Sequence, residues 1–287
     1  MARYAYVNGR YVDHRDASVH IEDRGYQLAD GVYEVVGVRD GRMIDEGPHI
    51  DRLDRSLREL RIDWPVSRVA LSFIMRELMR RNRLRDGLIY MQVTRGVARR
   101  DHAFPTTPVK PALVLTTKNA KRGDAEPGPG VAIKSQPDIR WERCDIKTIA
   151  LLPNVLAKQA ARESGAFEAW LIDDDGCVTE GASTNAWIVT RDGELVTRQT
   201  DNGILAGITR ETLKSLCNDL QLKFVERPFS LAEAMKAQEA FITSATSFVT
   251  PVVKIDGQAV GDGKVGPTAR RLREEYVRFA ATGDPVT

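Results

Sequence analysis

The stretch "DIRWERCDIKTIALLPNVLAKQ", residues 138–159, decides how the rest of the chain is read. Lys147 stands in it with Ile146, Ile149, Leu151 and Leu152 close by. An ammonium group among apolar neighbours loses hydration unless something uses its amine. Two readings are open at this residue. The stem packs and the amine reaches water. Alternatively, burial or nearby cations favour the neutral amine, which can form a Schiff base with an aldehyde.

Bulk properties bound the choice. A chain of 287 residues, 42% hydrophobic and 29% charged, can bury a real core as one large or two modest domains and reads as soluble and globular. A net charge of +2 argues against a general polyanion binder. The start "MARYAYVNGRYVD" has no charged-then-apolar leader, and no apolar run approaches the roughly 18 residues of a membrane span. Cys144, Cys177 and Cys217 are odd in number, widely spaced and without a CxxC pair, and only four histidines are present. No metal site, no membrane partner and a reducing cytoplasmic location are therefore expected. The absence of GxGxxG and GxxxxGK[ST] runs counts against dinucleotide and P-loop binding.

Asn8-Gly9 and Asp40-Gly41 each lie between strand-like runs and predict tight hairpins, because those positions favour positive φ. Ile50, Leu53, Leu57 and Leu60 fall at helical spacing, a second helix is expected over 67–83, and "LIYMQVTRG" and "ALVLTTK" read as strands. "KRGDAEPGPGV", 121–131, clusters Gly and Pro and reads as a linker. Beyond it, strands are expected at "VAIKSQ", "FEAWLID", "NAWIVT", "EAFITS" and "PVVKIDG", and helices near 154–164, 208–221, 230–238 and 267–280. Ser230 and Glu233 form a capping-box pattern, and Pro267 suits a first helical turn. Strands and helices mixed with several hairpins predict an α+β fold rather than a parallel doubly wound sheet.

An aldehyde partner for Lys147 is most commonly pyridoxal phosphate, which also demands an acid for its ring nitrogen and a cradle for its phosphate. In "VTEGASTNAWIV", 178–189, Glu180 stands between an apolar strand and a turn, where it is either that acid or an ordinary turn glutamate. In "GILAGITRETLKSLCNDL", 203–220, a helix begins at Ile208 or Thr209 directly after Gly207, and the free amides of a helix start suit a phosphate. "FITSATS", 241–247, is a second run of small hydroxyl residues after a strand. Arg52 flanks the Ile50/Leu53/Leu57 stripe, so the pattern alone reads it as solvated, with a phosphate as the other possible neighbour. "VTRGVARRDHAFP", 93–105, crowds Arg95, Arg99, Arg100 and His102 into one loop, either a solvated basic loop or a site for a carboxylate.

The segments "EDRGYQLADGVYEVV", "HIDRL", "VTRGVARRDHAFP", "DIRWERCDIK", "LAKQ", "TEGASTN", "GITR" and "TSATS" follow one another along nearly the whole chain. Together they resemble the fold-type-IV pyridoxal-phosphate enzymes, the class IV aminotransferases. Tyr33 and the Arg100-x-His102 pair point to the D-amino-acid branch of that class. The resemblance implies a two-domain α+β architecture: a small N-terminal domain over 1–120, a linker at 121–130 and a larger, strand-rich cofactor-binding domain over 131–287. It implies that Lys147 is the Schiff-base lysine and Glu180 the acid on the pyridine nitrogen. Arg52, Ile208, Thr209, Ser244 and Ala245 match the phosphate cradle, and Tyr33, Arg100 and His102 match the trap for the substrate α-carboxylate. The last two come from the neighbouring subunit in this class, which implies a homodimer with shared sites. The implied activity is transamination between a D-amino acid such as D-alanine and a 2-oxo acid such as 2-oxoglutarate.

Three positions depart from the pattern: Ala182 where a serine is frequent, Ala245 in place of a hydroxyl residue, and Ala29 where "GDGVYE" is usual. A branched-chain L-aminotransferase and an aminodeoxychorismate lyase share the fold and remain as alternatives, while an amine transaminase would lack the carboxylate trap. A nucleic-acid-binding role for "RRNRLRDG", 80–87, is disfavoured by the near-neutral charge and the lack of a stacking pattern.

Overall fold

Asn8 and Gly9 take φ of 47° and 96°, and Asp40 and Gly41 take 51° and 77°. These turns close the two expected hairpins, β1 (Tyr4–Val7) with β2 (Arg10–Asp13) and β3 (Gly31–Arg39) with β4 (Arg42–Ile44). The computed structural model describes residues 3–120 and 126–282, so half of the linker expected at 121–130 lies outside the described residues. The chain divides into two compact units. Among the described residues, the first holds 3–120, Ile146–Ala150 and the chain end 281–282, and the second holds 126–145 and Leu151–Ala280. Lys147 therefore belongs to the first unit, although it follows the linker in sequence.

The first unit adds the short helix α1 (Arg24–Leu28), the helices α2 (Glu46–Glu59) and α3 (Arg68–Asn82), and the strands β5 (Gly87–Thr94) and β6 (Ala112–Asn119). Its six strands run in the order β2-β1-β6-β5-β3-β4, every neighbour antiparallel. α2 packs on β3, and α3 on β1 and β6. Leu53 and Leu57 of α2 and Leu71, Met75 and Leu78 of α3 share a buried core with Val32, Val36, Ile89 and Met91. Alternation along β3 buries Val32, Glu34, Val36 and Val38 and leaves Tyr33 and Val35 half-buried on the other face. Residues 146–150 run along the start of β3: the Tyr33 amide donates to the Lys147 carbonyl (3.0 Å) and the Ile149 amide to the Gly31 carbonyl (3.1 Å). A Cβ at Gly31 would lie 2.7 Å from the Val93 carbonyl, so glycine is needed for this close approach.

The second unit contains β7 (Val131–Pro137), α4 (Leu152–Glu163), β8 (Glu168–Ile172), β9 (Val178–Gly181), β10 (Asn185–Val189), β11 (Leu195–Thr197), α5 (Ile208–Asp219), β12 (Phe224–Glu226), α6 (Leu231–Lys236), β13 (Glu239–Ser244), β14 (Phe248–Ile255), β15 (Gln258–Ala259) and α7 (Pro267–Thr282). The sheet runs β12-β11-β10-β13-β14-β7-β8-β9, with β15 paired to β14. Three neighbouring pairs, β11 with β12, β14 with β7 and β7 with β8, are parallel and the others antiparallel, so the sheet is mixed. Residues of β9, β10 and β11 are buried on both faces. The Ser230 hydroxyl caps α6 through the Glu233 amide (3.1 Å), while the Glu233 carboxylate pairs with Arg227 (2.6 Å) instead of completing the expected box. Among the described residues no helix is long and apolar enough to cross a membrane.

Candidate active site

In the first unit the main chain on both sides of Lys147 is fixed. Its carbonyl accepts from Tyr33, and its amide donates to the Ser56 hydroxyl on α2 (3.3 Å). The side chain lies across an aromatic face, with Nζ 4.4 Å from the Tyr33 ring centroid. Tyr33 stacks on Tyr90 (5.8 Å, 28°), whose hydroxyl donates to Gln92 (2.7 Å). Burial, with a smaller contribution from Tyr33, pushes the Tyr90 phenol up to about 12, so it stays neutral. The structure thus brings Lys147 and Tyr33 together, and adds Tyr90, which the sequence did not single out.

Arg52 is not solvated. Its side chain is 9% exposed and grips the fully buried Glu34, Nε to Oε1 at 2.7 Å and Nη2 to Oε2 at 2.9 Å. His49, one turn earlier on α2, places Nδ1 2.8 Å from the same carboxylate. Burial opposes ionisation of Glu34, but the charge and hydrogen bonds of Arg52, with those of His49, outweigh it and hold the carboxyl well below its usual range. The apolar stripe of α2 could not reveal this, because Glu34 lies on a strand 15 residues or more away.

The basic loop separates into two kinds of arginine. Arg95 is buried, forked onto Asp30 (2.7 and 3.0 Å), bonded to the carbonyls of Leu60 and Arg61, and covered by the Phe104 ring at 3.7 Å. Arg24 joins Asp30 (2.7 Å) to the carbonyls of Asp101 (2.7 Å) and Ala103 (3.2 Å). These contacts hold the loop from beneath while Arg100 and His102 are exposed. The departure at Ala29 falls on a left-handed residue, φ 54°, that ends α1. An alanine there costs about 1 kcal/mol relative to glycine.

In the second unit Glu180, at 6% exposure, is surrounded by donors. Arg140 Nη1 and the Leu205 amide (3.2 Å) reach Oε1, and the Asn185 amide group reaches Oε2 (3.1 Å). An ionised carboxylate, acceptor only, matches this donor set. Arg140 is itself fixed by Asp138 (2.9 and 2.7 Å) and the Gly203 carbonyl (3.1 Å). Burial works against the Asp138 carboxylate, yet Arg140 holds its pKa below the ordinary value. Arg140, Asp138 and Asn185 were missed from the sequence. The first two lie in the opening stretch, where no periodicity marks them.

Asn185 also bonds the Leu205 carbonyl (3.0 Å), and a Cβ at Gly207 would lie 2.0 Å from its Oδ1. Gly207 therefore lets the start of α5 approach Asn185, and with it Glu180. No side chain caps α5. Its first amides have no partner within the helix and form a donor set for an anion. Thr209, buried, places its hydroxyl 3.4 Å from the Tyr276 hydroxyl. In the turn after β13, the Ser244 oxygen accepts the amides of Thr246 (3.3 Å) and Ser247 (3.1 Å), so Ser244 organises the turn. The methyl of Ala182 sits in an apolar cluster with Ala157, Ala161, Ala169 and Leu171, which explains how the chain accommodates the missing hydroxyl.

The residues fit the cofactor that the resemblance implies. An amine lies over an aromatic ring, a carboxylate is ringed by donors, and an uncapped helix start offers amides beside a hydroxyl-rich turn. The chain belongs to the class IV aminotransferases: residues 31–255 match the family Amino-transferase class IV. It is 42% identical over 275 residues to the D-alanine aminotransferase of Staphylococcus haemolyticus, covering 96% of each chain. It is 41% identical over 266 residues to that of Bacillus licheniformis, covering 93% of each. The branched-chain amino acid aminotransferase of Escherichia coli has the same fold, with a TM-score of 0.89 at 24% identity over 100% of this chain and 97% of that one. The branched-chain aminotransferase of Thermoproteus uzoniensis gives 0.83 at 26%, covering 96% and 93%. The fold-type-IV α+β class implied by the resemblance is thus the class found.

Proposed function

We propose that this class IV aminotransferase exchanges the amino group between a D-amino acid, such as D-alanine, and a 2-oxo acid, such as 2-oxoglutarate, using pyridoxal phosphate, as a cytoplasmic homodimer. The observation that carries the reading is the likeness to D-alanine aminotransferases over 96% of the chain. A branched-chain L-amino-acid activity has only the fold-level likeness in its favour.

When bound, pyridoxal phosphate supplies an aldehyde that takes up the amino group and a ring that accepts electrons from the substrate Cα–H bond. Lys147 would hold the cofactor through Nζ, and its amine would serve as the base that takes up the substrate α-proton and gives it back. The Tyr33 ring limits where that amine can swing. The Glu180 carboxylate, oriented by Arg140 and Asn185, accepts a hydrogen bond from the ring N–H and keeps that proton in place. Ile208 and Thr209 at the start of α5, the Ser244–Ala245 turn and Arg52 hold the phosphate. Arg100 and His102, with Tyr33, hold the substrate carboxylate on one side of the ring, which selects the D-isomer.

The test is a panel of D- and L-amino acids assayed with 2-oxoglutarate, coupled to borohydride reduction and mass spectrometry. Turnover of D-amino acids, cofactor mass on Lys147 and an inert Lys147→Ala variant are expected. Preference for L-amino acids, or cofactor on Lys134 or Lys158, overturns the reading.

A further inference from the structure

We propose that Arg273 and Tyr276 of α7 are positioning residues for the cofactor phosphate, bracing the turn after β13 and the start of α5 that would receive it; this rests on the pyridoxal-phosphate reading above. The two residues stand three apart and so share one helix face. Arg273, 8% exposed, donates from Nη1 to the Ser247 carbonyl (3.1 Å) and the Val249 carbonyl (2.6 Å). Those carbonyls flank Phe248, which is held at φ 58°, a left-handed conformation that a bulky residue rarely adopts. The Phe248 ring packs against Tyr276 at 4.9 Å. Tyr276, 1% exposed, then reaches the second part, its hydroxyl 3.4 Å from Thr209 Oγ1 in the first turn of α5.

One helix therefore touches the turn after β13 and the start of α5 together. Its own placement is tied to the same strand. Glu239, the first residue of β13, accepts the amides of Thr268 (3.0 Å) and Ala269 (2.9 Å) and so caps α7. A Cβ at Gly266 would lie 2.1 Å from Glu239 Cδ, so a side chain there would displace the carboxylate that caps the helix. The last residue of β13 is Ser244. The register of α7 thus fixes the turn at one end of β13 through contacts at both ends. Either hydroxyl can donate in this pair, and the arrangement in which Tyr276 donates leaves the Thr209 proton for a phosphate oxygen. Arg273 keeps Ser247 and Phe248 from relaxing out of the turn that Ser244 organises.

A purely structural helix would affect all ligands alike, whereas a phosphate brace affects only phosphorylated ones. Apo-enzyme is titrated with pyridoxal phosphate and with pyridoxal, followed by absorbance. Thermal midpoints are recorded with and without inorganic phosphate. Tyr276→Phe keeps the ring against Phe248 and should weaken pyridoxal phosphate by about fivefold, one neutral hydrogen bond, with pyridoxal unchanged. Arg273→Met should weaken it by roughly tenfold or more, Arg273→Lys should recover part of the loss, and the phosphate-dependent rise in midpoint should shrink in each. Equal weakening of both aldehydes, or of neither, overturns the brace. Tyr276→Phe decides the matter if Arg273→Met does not fold. A wild-type enzyme that fails to prefer the phosphorylated aldehyde sinks the cofactor reading itself, and the brace with it.

Discussion

Glu180 and Arg140 make the sharpest contrast between chemistry and stability at the level of single residues. Arg140, 7% exposed at its side chain, stands between two carboxylates that are also nearly buried, Asp138 at 11% and Glu180 at 7%. Replacing it by leucine leaves both acids facing each other without a cation, a loss of roughly 3 kcal/mol. Glu180→Leu instead leaves Arg140 forked onto Asp138, so the fold should lose less while turnover collapses. Denaturant unfolding of the apo-enzyme and turnover with D-alanine separate the two effects. Near-normal turnover in Glu180→Leu would refute its role. The linkage adds a pH sign. The Asp138 pKa is depressed in the folded state, so the Arg140–Asp138 contribution is complete above its unfolded value of about 4 and fades as pH falls below it. The stability gap between wild type and Arg140→Leu should therefore narrow in acid. The sequence singled out Glu180 as a candidate acid, whereas nothing local paired it with Arg140, 40 residues away.

At the scale of elements, hairpins and amphipathic helices were the most legible. Asn-Gly and Asp-Gly turns and apolar stripes are local signals, and both hairpins, α2 and α3 lie where those signals put them, whereas the five-residue α1 was not expected. β9 and β11 were not expected. Their residues are buried on both faces, so no alternation marks them, and "VTEG" carries the polar side chains of a site. The loop after β5 shows the same limit. Four basic residues within eight look alike in sequence, yet Arg95 and the distant Arg24 anchor the loop to Asp30 while Arg100 and His102 are exposed. The anchoring gives Arg100→Ala a specific expected signature. The loop keeps its shape, the carboxylate loses a forked partner, and the Michaelis constant for D-alanine rises by about tenfold or more if the pair is worth over about 1.4 kcal/mol. Pyridoxal phosphate affinity should not change. Steady-state kinetics and a cofactor titration check both halves, and an unchanged Michaelis constant rejects the carboxylate trap.

The scale of the whole molecule is where an exposed Arg100 finds its explanation. A carboxylate clamp fully open to water gains little from its charge. Large apolar side chains are exposed on the same unit: Val19 at 46%, Ile21 at 75%, Tyr26 at 75%, Val97 at 42% and Phe104 at 49%. The segments are joined, because Asp23 bridges to Val97 and the Ala98 amide donates to the Glu22 carbonyl (3.3 Å). Such a grouping suits the subunit interface of the proposed homodimer, which would carry Arg100 and His102 into a partner's site. Complementation follows from that arrangement. An Arg100→Ala chain keeps Lys147, and a Lys147→Ala chain keeps Arg100, so a mixed dimer rebuilds one complete site and loses the other. After full exchange of equal amounts, half of the dimers are mixed and about a quarter of all sites should work. The assay is run at low D-alanine, where Arg100→Ala alone contributes least. If both residues of a site came from one chain, no mixture would exceed the sum of its parents. With exchange verified by differently tagged subunits, activity at that sum sinks the shared site, and activity near a quarter of wild type establishes it.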